Sequence, residues 1–305
     1  MKIIYPKGNE PLAQADPYII KHENKYYIYA TGINGVQGYV SDKIDGDWKY
    51  LGTVLKTEGE KEFWAPCVYE ENGTFYMYYS SVKESSDDPH DEQIKLAVAS
   101  SPEGPFTYLK TLLPAFSIDP HVVRNENGLF MFYSVNDYEA ERAGTYIVVQ
   151  KMSSPTEMEG EPVSVLVPTI DEEIFMRNRF KEGQHWHTLE GAFYFFESGV
   201  HYLIYSGNCW ESPYYFLGYA SAVSDEKDLT KVKFKKMPSE NTYSPLISAN
   251  EYESGTGHNS VIKIDGQYYV IYHGRDLDKN DRTARICKLN VNNGSLSADR
   301  KTDAL

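Results

Sequence analysis

Four residues stand out by type and by context. Asp16 and Asp119 each precede a proline, Glu190 precedes Gly191, and His258 precedes Asn259. Each heads a short apolar and aromatic run that leads into a polar turn and a second such run. The matching place in a fifth unit holds Ala65, preceded by Trp64. Three carboxyls gathered into one small site would repel, so at least one would keep its proton near neutral pH. An ionised carboxylate beside a protonated one is a general base beside a general acid, the equipment of a hydrolase. Each residue taken alone has a plainer reading: Asp before Pro caps turns, Glu190 could end an exposed strand, and His258 could bond backbone in a core. Their recurrence at one point of a repeat favours chemistry.

The elements that would have to gather them are strands. The five units start at Asp16, Ala65, Asp119, Glu190 and His258, spaced by 49, 54, 71 and 68 residues. Each reads as a hairpin around Glu23-Asn24, Asn72-Gly73, Asn127-Gly128, Ser198-Gly199 or Asp265-Gly266, residues that tolerate the positive φ of tight turns. Third strands are expected at 37–41, 95–100, 145–149, 217–222 and 284–289. Outer strands are expected at 48–55, 106–113, 162–167 and 234–237. No long amphipathic helix is evident. Four antiparallel strands in each of five units predict an all-β fold, a five-bladed β-propeller, with residues 1–305 as one domain. The first strand of each blade lines the central channel, so Asp16, Asp119, Glu190 and His258 would meet around the axis. Segments 171–187 and 210–215, with Trp186, Trp210, Tyr214 and Tyr215, are expected to wall a pocket.

Composition narrows the partner. A net charge of −14 opposes a nucleic-acid ligand, which needs a basic surface. Aromatics make up 14% of the chain, with 26 Tyr. Most suit strands, and some could pack on the C–H face of a sugar. Cys67, Cys209 and Cys287 are too few and too scattered for a zinc site or a disulfide framework. No apolar run approaches the length of a membrane helix, and Met1 to Pro6 does not open a secretory signal. A cytoplasmic protein is therefore expected. Neither a Gly-rich phosphate loop nor a βαβ unit suggests a nucleotide, and no cofactor is expected to be required.

Taken together, Ala15-Asp16-Pro17-Tyr18, Phe63-Trp64-Ala65-Pro66, Ser117-Ile118-Asp119-Pro120-His121, Leu189-Glu190-Gly191-Ala192 and Gly257-His258-Asn259-Ser260 resemble glycoside hydrolase family 43. These are five-bladed propellers acting on arabinose- and xylose-containing glycans. The resemblance runs from Ala15 to the Arg282 stretch. It implies that Asp16 is the general base, Glu190 the general acid and Asp119 the carboxylate that tunes the acid and helps position the sugar. It further implies inversion at the anomeric carbon, which requires carboxyls roughly 6.5–9.5 Å apart. His258 would be the axial histidine, near a calcium ion or a water in the channel. Imidazole is a poor ligand for calcium, so a contact through water, or no metal at all, is expected. The sugar-contacting arginine would be Arg282, or in second place Arg275, with Trp64 and Trp210 as aromatic walls. The Glu-Cys pair of fructan-cleaving relatives is missing, since Gly191 follows Glu190. No long β-sandwich extension follows the fifth blade before Leu305. The expectation is removal of terminal α-L-arabinofuranosyl groups from arabinose- or xylose-containing oligosaccharides, with β-xylosidase action as the alternative. From another class, a non-catalytic sugar-binding propeller would keep the aromatics without needing both an acid and a base.

Overall fold

Short β-branched and aromatic runs broken by turn residues give strands almost throughout. The computed structural model describes residues 1–5 and 13–300. Blade 1 is β1 (Tyr18–His22), β2 (Lys25–Ala30), β3 (Val36–Ser41) and β4 (Lys49–Leu55). Blade 2 is β5 (Glu60–Glu71), β6 (Thr74–Lys83), β7 (Gln93–Ala99) and β8 (Thr107–Thr111). Blade 3 is β9 (Ile118–Asn125), β10 (Gly128–Asp137), β11 (Gly144–Ser154) and β12 (Glu157–Leu166). A short strand β13 (Ile174–Met176) precedes blade 4, which is β14 (Trp186–Glu197), β15 (Val200–Gly207), β16 (Phe216–Val223) and β17 (Lys235–Lys236). Blade 5 is β18 (Glu253–Ile264), β19 (Gln267–Asp276), β20 (Thr283–Asn292) and β21 (Ser295–Asp299). Among the described residues the only helical turns are 3-10, at Pro89–Asp91 and Asp171–Glu173.

The five-bladed, four-stranded architecture is the one expected, with two local departures. The outer strand of blade 5, β21, falls outside the strands expected from sequence. Blades 3 and 4 are not separate sheets, because β11 pairs in parallel with β14 through Gly144 with His187 and Thr145 with Thr188. A Cβ at residue 144 would lie 2.1 Å from the His187 carbonyl oxygen. Glycine therefore permits the approach that joins the two blades.

Each blade buries both faces against its neighbours, and the hydrophobic clusters fall at the interfaces. Tyr29, Val36 and Val54 meet Phe63, Phe75 and Tyr79 between blades 1 and 2. Phe130, Phe132 and Ile147 meet Leu189, Leu203 and Tyr205 between blades 3 and 4. Tyr29, Tyr79, Tyr133, Tyr205 and Tyr272 occupy the same place on the second strand of each blade, and all are buried. The hydroxyl of Tyr29 donates to the Pro102 carbonyl at 2.7 Å, and that of Tyr272 to Glu253 Oε1 at 2.8 Å. A buried phenol with a partner adds core area without an unpaired donor, which accounts for much of the tyrosine content.

The ring closes through the start of the chain. Ile3 N–H donates to the Ala284 carbonyl at 3.1 Å, and Ile286 N–H donates to that of Met1 at 2.7 Å. The first residues thereby pair with β20, so blade 5 carries strand pairing from both ends of the chain.

Candidate active site

The inner strands do not run straight to the axis. One residue in each blade adopts left-handed backbone: Asp16 (φ 54°), Ala65 (45°), Asp119 (58°), Gly191 (62°) and His258 (48°). In β5, β9, β14 and β18 the strand pairing skips at this residue. Trp64 pairs with Ser80, Ile118 with Ser134 and Glu190 with Ser206, before the register resumes further along. This is a β-bulge repeated around the ring, and a bulge re-aims the side chain it carries. Left-handed backbone costs a non-glycine residue about 1–3 kcal/mol. Such strain, repeated at Asp16, Asp119 and His258, marks the place where the fold builds its site.

The bulge also corrects the expected ring. Glu190 does not occupy the position of Asp16, Asp119 and His258; Gly191 does. Glu190 stands one residue earlier, level with Trp64 and Ile118. The signal lay in the sequence. In four blades a second left-handed residue follows seven positions on, at Glu23, Asn72, Ser198 and Asp265. Counting back seven from Ser198 gives Gly191. A Cβ at residue 191 would come 3.1 Å from His258 Nδ1, so glycine here lets the histidine approach.

These residues open into one cleft of about 930 Å³, lined by Asp16, Trp64, Asp119, Glu190, Trp210, Tyr215, His258 and Arg282 among others. Asp16 is the best-partnered carboxylate. Thr31 Oγ1 donates to its Oδ2 at 2.5 Å, and the same hydroxyl accepts from Ala65 N–H at 2.9 Å. Asp16 Oδ1 lies 3.3 Å from His273 Nδ1, 3.4 Å from His258 Nδ1 and 3.5 Å from Arg282 Nη1. Burial pushes the Asp16 carboxyl up, but His258, Arg282 and His273 together hold it well below the usual carboxylate range.

The other two carboxyls are pushed the opposite way. Burial, opposed by the Tyr215 hydrogen bond and assisted by the charge of Asp16, raises Glu190 to about 7. Burial and the charges of Glu190 and Asp16 raise Asp119 well above the ordinary range. The two titrate as a pair that holds a proton at neutral pH. Asp119 Oδ2 accepts Gly191 N–H at 2.9 Å, a bond that favours its ionised form. Glu190 Oε1 accepts the Tyr215 hydroxyl at 2.7 Å, which leaves Oε2 to carry the proton.

His258 is fixed by its backbone N–H, which donates to Ser206 Oγ at 2.7 Å. Burial lowers its pKa, opposed by Asp16, so it is neutral at pH 7. His273, which is not among the candidates drawn from the sequence, is fully buried and stacks on Tyr215 with ring centres 5.7 Å apart. A signal for it existed: the residue after the core tyrosine is Ala30, Ser80, Ser134 and Ser206 in the other blades.

The aromatic and basic candidates divide. Trp64 lines the cleft, with its indole N–H donating to Glu62 Oε2 at 3.0 Å. Arg282 lies over the Trp210 ring at 4.4 Å, and both line the cleft. Arg275 does not line it, contrary to its expected place beside the sugar. Its guanidinium is buried and donates to the carbonyls of Asn280 at 2.9 Å and Trp210 at 2.7 Å. It holds the two segments that carry Trp210 and Arg282. Trp186 is not a wall either. It is buried against Tyr138, Phe180 and Arg179, while Tyr214 is 73% exposed and lies outside the cleft lining. The blade-2 side of the cleft is built instead by Ser86 to Pro89 and Glu92, which sequence reasoning missed.

Near His258 the expectation was calcium held through water, or no metal at all. Among the described residues no group of three or more His, Cys, Asp and Glu is arranged to hold a metal ion. The site offers no protein cage for direct coordination, and no step below passes through a metal.

A five-bladed propeller with an ionised carboxylate facing a protonated one at its axis defines a glycosidase of the acid–base type. The family model for Glycosyl hydrolases family 43 matches residues 10–296, and the chain belongs to that family. A thermostable family-43 glycoside hydrolase of known crystal structure is 32% identical with a TM-score of 0.80, over 96% of this chain and 95% of that one. The Xylosidase/arabinosidase 43A of Humicola insolens is 24% identical over 75% of this chain and 72% of its own length. An extracellular exo-α-(1→5)-L-arabinofuranosidase of Streptomyces avermitilis is 25% identical over 87% of this chain, which spans 56% of that protein.

Proposed function

We propose that the protein is an inverting, exo-acting glycosidase that removes terminal α-L-arabinofuranosyl groups from arabinose-containing oligosaccharides. The observation that carries this reading is the placement of two carboxyls in one cleft with opposite surroundings, Asp16 among His258, His273 and Arg282 and Glu190 against the Tyr215 hydroxyl. Asp16, kept ionised by its cationic and imidazole neighbours, takes a proton from water as that water attacks the anomeric carbon. Glu190 delivers its proton to the departing glycosidic oxygen as the bond breaks. Burial and the charge of Asp16 keep the acid loaded, and Asp119, held by Gly191 N–H, can bind a sugar hydroxyl. Arg282 stacked on Trp210 offers a planar donor fork and an apolar surface for the terminal sugar. The chain's own residues supply the acid and base, and no cofactor is needed.

β-Xylosidase action is the second reading, supported by the double name of the Humicola relative. A panel of aryl α-L-arabinofuranosides and β-xylosides, with product stereochemistry followed by NMR, separates the two. Retention of configuration, or sugar binding without hydrolysis of either series, would overturn the proposed mechanism.

A further inference from the structure

None of the sequence motifs contains Thr31, yet its hydroxyl touches two parts of the site. The residue directly follows Ala30, the last of β2, and lines the cleft. Its backbone is held on both sides: its N–H donates to the Ala15 carbonyl at 3.0 Å, and its carbonyl accepts from Gln37 Nε2 at 2.9 Å. The next residues pair with the start of β5. Gly32 N–H donates to the Phe63 carbonyl at 3.0 Å, Phe63 N–H returns the bond at 2.9 Å, and Glu62 N–H donates to the Ile33 carbonyl at 2.8 Å. The Thr31 side chain carries this ladder one step toward the axis, where Oγ1 accepts Ala65 N–H at 2.9 Å.

A residue in left-handed backbone at a bulge turns its N–H away from the strand ladder, and here a side chain of the preceding blade takes it. For His258 in blade 5 the acceptor is Ser206 Oγ of blade 4, and for Gly191 in blade 4 it is Asp119 Oδ2 of blade 3. Thr31 of blade 1 does the same for Ala65 of blade 2, but its oxygen has a second task. A threonine hydroxyl has one proton and two lone pairs. One lone pair faces Ala65, and the proton goes to Asp16 Oδ2, 2.5 Å away. A hydrogen bond to an ionised carboxylate is among the strong ones. Branching at Cβ restricts χ1, so the side chain has little freedom to trade one partner for the other. The two oxygens of Asp16 are thereby distinguished: Oδ2 is held by Thr31, while Oδ1 faces His258, His273 and Arg282. The charges of Glu190 and Asp119 also face Asp16.

We propose that Thr31 is a positioning residue: its hydroxyl clasps Asp16 to the Trp64-Ala65 bulge, fixing the aim of the base relative to the aromatic wall. This deepens the glycosidase reading and rests on it. A sugar packed on Trp64 has its anomeric carbon placed by that wall, and the base must reach the water that attacks this carbon. A small misplacement of one against the other is costly in rate. Thr31 touches no reacting atom and acts through Asp16 and Ala65.

The test compares Thr31→Val, which keeps the branched shape and deletes the hydroxyl, with Thr31→Ser, which keeps the hydroxyl. On the aryl pentoside that the parent hydrolyses, Thr31→Val is expected to lower kcat about 10–100-fold, with KM raised by no more than about threefold. Thr31→Ala should match Thr31→Val, and Thr31→Ser should stay within about fivefold of the parent. The donor lost in Thr31→Val favours the ionised carboxylate, so the proton affinity of Asp16 rises. A base must be ionised, and its activity is lost as pH falls through its pKa. The acidic limb of kcat/KM should therefore move to higher pH in Thr31→Val and return in Thr31→Ser, with the alkaline limb in place. Equal losses in Thr31→Val and Thr31→Ser overturn the clasp, and so does an acidic limb that Thr31→Val leaves where it was. A loss of kcat that follows a fall in melting temperature in both variants overturns it as well. Titration of the Asp16 carboxyl by carbon NMR reads the same bond without turnover. If the parent hydrolyses no pentoside but Thr31→Val still raises that titration, the glycosidase reading fails and the clasp stands. If hydrolysis is normal and the titration is unmoved in Thr31→Val, the clasp alone fails.

Discussion

Asp16 and Glu190 are both buried carboxyls at the mouth of one channel, yet they hold protons oppositely. The difference lies in the side chains that each one meets. Asp16 is faced by His273 and His258 from blade 5, by Arg282 just before β20, and by a hydroxyl from Thr31. Glu190 meets a phenol from Tyr215 and the negative charge of Asp16. Burial alone raises both, so the neighbours decide which becomes base and which acid. A propeller suits this division, because each inner strand end is touched by residues from blades distant in sequence.

Removing the better-partnered partner gives the largest effect. Asp16→Asn keeps size and some hydrogen bonding but cannot accept a proton. Its kcat is expected to fall about 10³–10⁴-fold on every substrate, activated aryl glycosides included. A uniform loss across leaving groups, read by steady-state kinetics, identifies the base. A loss confined to poor leaving groups would exchange the two roles.

Glu190→Gln should give the contrasting pattern. Loss of about 10²–10³-fold is expected on sugar leaving groups, with dinitrophenyl glycosides near the parental rate because they depart without a proton. In the parent, kcat/KM should decline as pH rises through about 7, the value to which burial lifts Glu190. The sign follows from function: a general acid must be protonated, so activity is held below its pKa and lost above it. The variant should lack that decline on activated substrates.

How much of this contrast was legible depended on what the repeat records. The five starts, the turn residues and the core tyrosines are local and periodic, so the blades could be read directly. The wrong register at Glu190 arose because Glu190-Gly191 looks like Asp16-Pro17, two small polar-headed pairs. The seven-residue step to the turn, kept in four of the blades, is the better ruler, because left-handed backbone fixes both of its ends. Arg275 and Arg282 could not be told apart by spacing, since which one faces the channel depends on where β19 ends and its turn begins. Tyr215 and Glu92 lie in the connections between the second and third strands of blades 4 and 2, segments without period, and their place follows from tertiary packing alone.

The two arginines offer a subtler contrast between charge and support. Arg282→Ala takes a cation from beside Asp16 and a surface from beside Trp210. A fall in kcat/KM of roughly 10–100-fold is expected, with the acidic limb of the pH profile moving upward as Asp16 gains proton affinity. Arg275→Ala should leave that limb in place. It would free the carbonyls of Trp210 and Asn280, lowering melting temperature and raising KM by a smaller factor. A shifted acidic limb in Arg275→Ala would mean that it, too, addresses the base directly.

The smallest effect tests the acid side alone. Tyr215→Phe keeps the ring stacked on His273 and deletes only the hydroxyl that donates to Glu190 Oε1. That bond favours the ionised carboxylate, so its loss should raise the proton affinity of Glu190 and move the alkaline limb of kcat/KM to higher pH. The maximal rate should change by no more than about tenfold, the range of a single hydrogen bond, because a weaker acid delivers its proton less readily while staying loaded over a wider pH range. The acidic limb, which belongs to Asp16, should stay where it is. If both limbs move together, Asp16 and Glu190 share one hydrogen-bond network through Tyr215 and His273. The base and the acid would then be tuned as a unit across the axis, with no separation by blade.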